Sequence, residues 1–165
     1  MHYRHQVHLQ VALALLAIFS CAVFGRIFFA PLQGDAIQAA LKLTPAYAIP
    51  LALATLLVML ERAASPDAIL GYRATVHRPT LRGAILQNTL EQSVLGFMSL
   101  MAFAGVAPAH LGSVLPLAAM VFVVGRIAFA LGYAISPMWR FFGFSLNFYG
   151  SCALLAASLW FSMRA

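Results

Sequence analysis

Apolar residues dominate the chain in five long runs, over 7–30, 44–60, 86–107, 114–135 and 141–163. Each is near the length a helix needs to cross a bilayer, the second being the shortest. In lipid the backbone must satisfy its own hydrogen bonds, so runs of this length predict helices. Pro50 falls early in the second run and predicts a bend there. Connections are short except for 61–83, which carries Arg62, Asp67, Arg73, His77, Arg78 and Arg82 together with Pro66 and Pro79. That stretch reads as a polar surface loop, and Ser65-Pro66-Asp67 within it as a helix start. The pattern predicts an all-α integral membrane protein, a polytopic bundle of five transmembrane helices.

Composition agrees. Of 165 residues 63% are hydrophobic and 8% are charged, with mean hydropathy +0.91. Soluble domains carry about a quarter charged residues. The formal charge of +6 does not indicate a nucleic-acid partner, because the cations lie at helix ends and in short loops. No polar stretch is long enough for a separate soluble domain. The first run resembles a signal peptide in its basic Arg4 and in Ile18-Phe19-Ser20-Cys21. It is too long for one, Phe19 fits a cleavage box poorly, and Arg26 closes it, so it reads as a retained helix.

Five crossings put the termini on opposite faces. The N-terminus, the long loop and the 136–139 turn share a face with Arg4, Arg62, Arg73, Arg78, Arg82 and Arg140. The other face carries Arg26, Lys42 and Arg164. The positive excess places the N-terminus in the cytoplasm, and a bacterial inner membrane is the expected location.

Against this background two charges stand out, Glu91 in the third run and Arg126 in the fourth. A charge at membrane depth costs at least a few kcal/mol, so it faces a bundle interior, a partner or a wet cavity. Antiparallel neighbours bring the two to similar depth, which predicts that they are buried and close enough to pair, directly or through water. Asn88 lies one turn before Glu91, and Tyr133 two turns after Arg126, on the same helix faces. The polar stretch 87–92 reads either as a pocket for a hydrophilic ligand or as helix-to-helix glue around a neutralised Arg126. Asn88 and Glu91 together can serve a carboxylate and an amine, which suits a small zwitterion or peptide.

Arg140 opens the last run. A guanidinium beside a helix N-terminus is an anion site, able to hold a carboxylate or stabilise a thiolate. Its plainer role is a headgroup anchor, with Trp139 and Tyr133 in the interfacial belt. His2, His5 and His8 have helical spacing but no acidic neighbour, so no metal site is expected; His77 and His110 read as loop residues. Cys21 and Cys152 lie in apolar runs, with neither a disulfide nor metal spacing expected. Gly143, Gly150 and Ala157 form a small-residue stripe beside Asn147, suited to intrachain packing or to an oligomer seam.

The order Asn88-x-x-Glu91, an apolar stretch, then Val124-Gly125-Arg126 with Tyr133 and Arg140 resembles the MAPEG family, the membrane-associated proteins of eicosanoid and glutathione metabolism. The resemblance covers 46–163 and is of the bacterial type. It divides the chain into an N-terminal helix and loop, 1–43, and a four-helix membrane domain, 44–165. It implies a homotrimer that binds glutathione between protomers near the cytoplasmic face and passes it to lipophilic electrophiles, as a transferase or peroxidase. Asn88, Glu91, Arg126 and Tyr133 match residues that hold the glutathione. Arg140 matches the catalytic arginine that stabilises its thiolate. The alternative is a non-catalytic protein of the same fold that binds lipid or a partner. Three departures thin the glutathione site. Ala84 stands where the family often has arginine, with Arg82 displaced by two residues. Gln87 stands where a basic residue is frequent. Phe129, Phe141 and Phe144 occupy places that are polar in some members.

Overall fold

The structure, a computed structural model, describes residues 2–28, 34–64, 80–136 and 138–164. Within them the chain folds into helices α1 (His2–Phe28), α2 (Ala36–Lys42), α3 (Thr44–Ala63), α4 (Leu81–Val106), α5 (Val114–Ile135) and α6 (Arg140–Ser162), with a short 3-10 turn at Ala109–Leu111. No strand occurs among the described residues. Five stretches are long and apolar enough to cross a membrane, α2 and α3 together forming one of 28 residues. The expected helix start at Ser65-Pro66-Asp67, and Arg73, His77 and Arg78 of the basic loop, lie outside the described residues.

Local chemistry explains where the helices depart from the apolar runs. α2 falls in a connection that hydrophobicity alone leaves open. Asp35 starts it, its side chain accepting from the Ile37 amide at 2.8 Å. α4 begins ahead of its apolar run because Thr80 caps it, accepting from the Gly83 amide at 3.1 Å. The Thr80 hydroxyl also donates to Glu61 at 3.3 Å, and Arg82 donates to the Leu57 carbonyl at 3.3 Å. These bonds tie the end of α3 to the start of α4. α3 continues through Pro50, with its first turn opened by Pro45.

The core lies where α3, α4 and α5 meet. Tyr47, Leu100, Phe103, Leu115, Ala119 and Phe122 are buried there. The Tyr47 ring lies 4.3 Å from that of Phe122, and the Ser93 hydroxyl donates to the Tyr47 carbonyl at 3.1 Å. Gly96 faces the same rings, where a Cβ would come within 2.8 Å of Tyr47. α6 packs most extensively on α5, α4 and α1.

α1 is an integral part of the bundle. Val7, Gln10, Val11, Ala14, Ala17, Ile18 and Cys21 form an inward stripe at helical spacing, with Ala14 fully buried. The opposite side, with Leu9, Leu13, Leu16 and Phe19, is exposed, as the lipid-facing side of a membrane helix is. Gln10 accepts from the Phe142 amide at 3.0 Å, satisfying one of the free donors at the start of α6. Cys21 and Cys152 are both free.

The small-residue stripe of α6 divides. Gly143 lies against the α5 backbone at Gly125 and Phe129, where any Cβ would overlap those atoms. Its role is therefore packing within the chain. A Cβ on Gly150 would meet nothing within 4 Å. Gly143→Leu should accordingly destabilise the fold by at least about 1–3 kcal/mol through overpacking, whereas Gly150→Ala should be near neutral. Thermal unfolding of the two variants in detergent, followed by tryptophan fluorescence, checks the contrast.

Candidate functional site

Three helix ends converge at one end of the bundle: the start of α4, the end of α5 and the start of α6. Between them lies a cavity of about 410 Å³. Asn88 and Glu91 line it from α4, Tyr133 from α5 and Arg140 from α6. Four of the five residues singled out in the sequence thus share one cavity within a single chain. The rest of the wall is Gly83, Ala84 and Gln87 on one side and Phe129, Phe141 and Phe144 on the other.

Arg126 lies behind this wall. It is 4% exposed, and its guanidinium rests 4.8 Å from the Phe129 ring centroid and 5.9 Å from that of Phe122. One nitrogen, Nη1, donates to the Asn88 Oδ1 at 2.9 Å. Nε and Nη2 are buried and have no hydrogen-bond partner among the described residues. Because Asn88 accepts from Arg126 through its oxygen, its amide nitrogen is the group left to serve a ligand.

The expected Glu91–Arg126 ion pair does not form. Glu91 is exposed and accepts from the Gln87 amide at 2.8 Å, while Arg126 is taken by Asn88. Depth along antiparallel helices is readable from sequence, but rotation about each axis is not. Glu91 lies one helical turn beyond Asn88 and to the side, so the guanidinium meets Asn88 first, and Gln87 reaches the carboxylate along the same helix.

Arg140 is the first residue of α6, and its guanidinium lies 4.7 Å from the Tyr133 ring centroid and 5.3 Å from that of Phe141. Tyr133 in turn packs edge-on against Phe129, with centroids 5.7 Å apart. Gly132 makes this corner possible, since a Cβ there would come within 2.6 Å of the Trp139 carbonyl oxygen. The Arg140 guanidinium and the N-terminal end of the α6 dipole together favour an anion beside this cavity. No cluster of three or more His, Cys, Asp or Glu residues with metal-binding geometry occurs among the described residues.

Gln10 is a residue near the site that the sequence pattern alone does not single out. Gln10 stabilises the helix start that carries Arg140. A lone amide in the inward stripe of an otherwise apolar α1 was its signal. Gln92 is buried, and its Oε1 has no partner among the described residues; it lies in the polar stretch 87–92.

The Arg126–Asn88 bond gives a stability test. Asn88→Leu removes the acceptor of a buried guanidinium and should cost about 1.5–3 kcal/mol. Arg126→Met should cost less in the Asn88→Leu background than alone, because the charge needing the bond is gone. Thermal unfolding of the two single variants and the double variant measures this coupling, and additive losses would exclude it.

No curated protein and no solved structure matches the chain. The model of the MAPEG family matches residues 43–160. That span runs from the start of α3 nearly to the end of α6, includes the whole cavity described above, and leaves out α1 and α2. The chain therefore belongs to the MAPEG family, and is a helical membrane protein of the family of eicosanoid and glutathione metabolism.

Proposed function

We propose that this protein uses glutathione to conjugate or reduce lipophilic electrophiles. The observation that carries the reading is the convergence of Asn88, Glu91, Tyr133 and Arg140, from three helices, on one cavity. Their chemistry fits a thiol peptide. The Glu91 carboxylate suits its ammonium group, the Asn88 amide nitrogen and the Tyr133 hydroxyl suit its carboxylates and amides, and Arg140 suits the thiolate. Arg126 acts one step back, holding Asn88 by its oxygen.

Arg140 favours loss of the thiol proton to solvent by pairing with the sulfur anion. The thiolate then attacks an electrophilic carbon and displaces or adds across the bond there. With a hydroperoxide it attacks one oxygen and breaks the O–O bond, giving the glutathione sulfenic acid and the alcohol, and the thiol of a second glutathione then displaces water from that sulfur to form the disulfide. Phe129, Phe141 and Phe144 supply the apolar side of the cavity, against which a lipophilic partner packs. The same aromatic wall, with Ala84 and Gln87 where cations would strengthen the site, favours a second reading in which the cavity binds without turnover.

A homotrimer in the membrane, with this end of the bundle in the cytoplasm, completes the proposal. The surface of α4 supports it. Glu91 is exposed there beside exposed Leu90, Val94 and Met98, a mixed face suited to cover by a second copy.

Arg140→Ala should weaken the ultraviolet thiolate band of bound glutathione and cut turnover at neutral pH by roughly a hundredfold, with binding less affected. Arg140→Lys should rescue only partly, since an ammonium does not reproduce the planar fork. Full rescue by lysine with an unchanged thiolate band would make Arg140 an anchor. A wild-type protein with bound glutathione and no thiolate band would favour the non-catalytic reading. Native mass spectrometry from detergent should give a trimer, and a stable monomer would contradict the assembly.

A further inference from the structure

α1 meets the rest of the bundle in two ways. Ile18 and Cys21 line a second, apolar cavity with residues of α4, α5 and α6. Gln10, about two turns nearer the N-terminus, crosses to α6 and accepts from the Phe142 amide at 3.0 Å. That second contact touches the functional cavity, because Phe142 stands two residues after Arg140, which lines it.

A helix start leaves four backbone amides without a partner inside the helix. In α6 these belong to Trp139, Arg140, Phe141 and Phe142. Trp139 stands at the capping position but supplies no side-chain cap, since indole carries no acceptor. Its backbone is helical, with φ −70° and ψ −18°, whereas a capping residue is usually extended. Other groups take its place. The Trp139 amide donates to the Ser136 carbonyl at 3.0 Å, and the Phe141 amide to the Met138 carbonyl at 3.3 Å. The Phe142 amide has Gln10. The Arg140 amide nitrogen packs on Gly132, where a Cβ would lie 2.9 Å from it. Little of this backbone is left for an anion, so the group that holds one here is the Arg140 side chain. Its guanidinium rests on the rings of Tyr133 and Phe141. Arg140 and Phe141 ride on the first turn of α6, while Tyr133 belongs to α5. The three stay together only while that turn stays wound.

We propose that Gln10 is a positioning residue for Arg140. By capping α6 from α1, it keeps the first turn wound and the guanidinium over Tyr133, beside the cavity. The support comes from outside residues 43–160, the span that matches the family. Its effect on a thiolate rests on the glutathione reading above; the placement of the guanidinium does not.

Phenylglyoxal modification of the full chain in detergent, mapped by mass spectrometry, reads the guanidinium without glutathione. Gln10→Leu removes the acceptor at similar volume. It should raise the rate at Arg140 several-fold and leave Arg164, at the other end of α6, unchanged. Gln10→Glu keeps an acceptor at the helix N-terminus and should restore the wild-type rate. With glutathione bound, Gln10→Leu should move the thiolate titration to higher pH, leaving about threefold less thiolate at neutral pH, and Gln10→Glu should return it. Gln10→Asn, whose amide stops one methylene short of Phe142, should behave as leucine does, and it decides the matter where the leucine variant does not fold. A cap with only a structural role would lower the unfolding temperature of Gln10→Leu while Arg140 reactivity and the titration keep their wild-type values; that result overturns the proposal. Faster modification of Arg140 in Gln10→Leu, with no thiolate band even in the wild type, would uphold the positioning role and remove the thiol reading instead.

Discussion

A guanidinium sealed inside an apolar bundle sets the terms for the helices around it. Arg126 is nearly fully buried, held by one hydrogen bond to Asn88 and flanked by the rings of Phe122 and Phe129. A charge in such a place is tolerated only when its surroundings are arranged for it. α4 must present Asn88 toward α5, and α5 must present Phe129 between the charge and the cavity. α6 must come close enough to close the other side. Gly125 and Gly143 allow that approach, Gly143 touching the α5 backbone directly.

From this arrangement the cavity follows. Once Arg126 fixes the Asn88 oxygen, the amide nitrogen turns to the open side with Glu91 in the next turn. Phe129 supports Tyr133, and Tyr133 supports the Arg140 guanidinium. The chemistry of the cavity is therefore built on a rigid layer behind it, so that polar groups on three helices hold their relation without a loop to position them. α1 contributes at a distance, Gln10 occupying a free amide at the start of α6.

The two cavities show how one bundle separates two environments. One is polar-edged and lies at the helix ends, where cations and helix N-termini gather. The other, of about 310 Å³, lies between α1 and the apolar parts of α4, α5 and α6, and apolar side chains make up nearly all of its described lining. Between them run Gly125, Arg126, Phe129 and Gly143, closely packed on one another. The polar cavity is lined wholly from within the span that matches the family, whereas α1 contributes Ile18 and Cys21 to the apolar one.

Much of this is local and therefore legible in the residues themselves. The long apolar runs determine five helices that can cross a membrane, because a helix satisfies its backbone hydrogen bonds within one continuous segment. The run 114–135 and the helix Val114–Ile135 coincide. The order of Asn88, Glu91, Arg126, Tyr133 and Arg140 suggested the family whose model matches residues 43–160, and four of these residues line one cavity. What sequence does not carry is the rotation of each helix about its axis and the closeness of its neighbours. Depth alone suggested Glu91 as the partner of Arg126, yet rotation gave that place to Asn88 and left Glu91 to Gln87. Spacing alone left the glycine stripe open, and only the meeting of α5 with α6 assigned Gly143 to the chain's own interior. Caps such as Thr80 and Asp35, and the reach of Gln10 to Phe142, depend on which segments meet in space. Periodicity and hydropathy act over neighbouring residues and determine the helices; the contacts that make a site act across helices, and only their packing decides them.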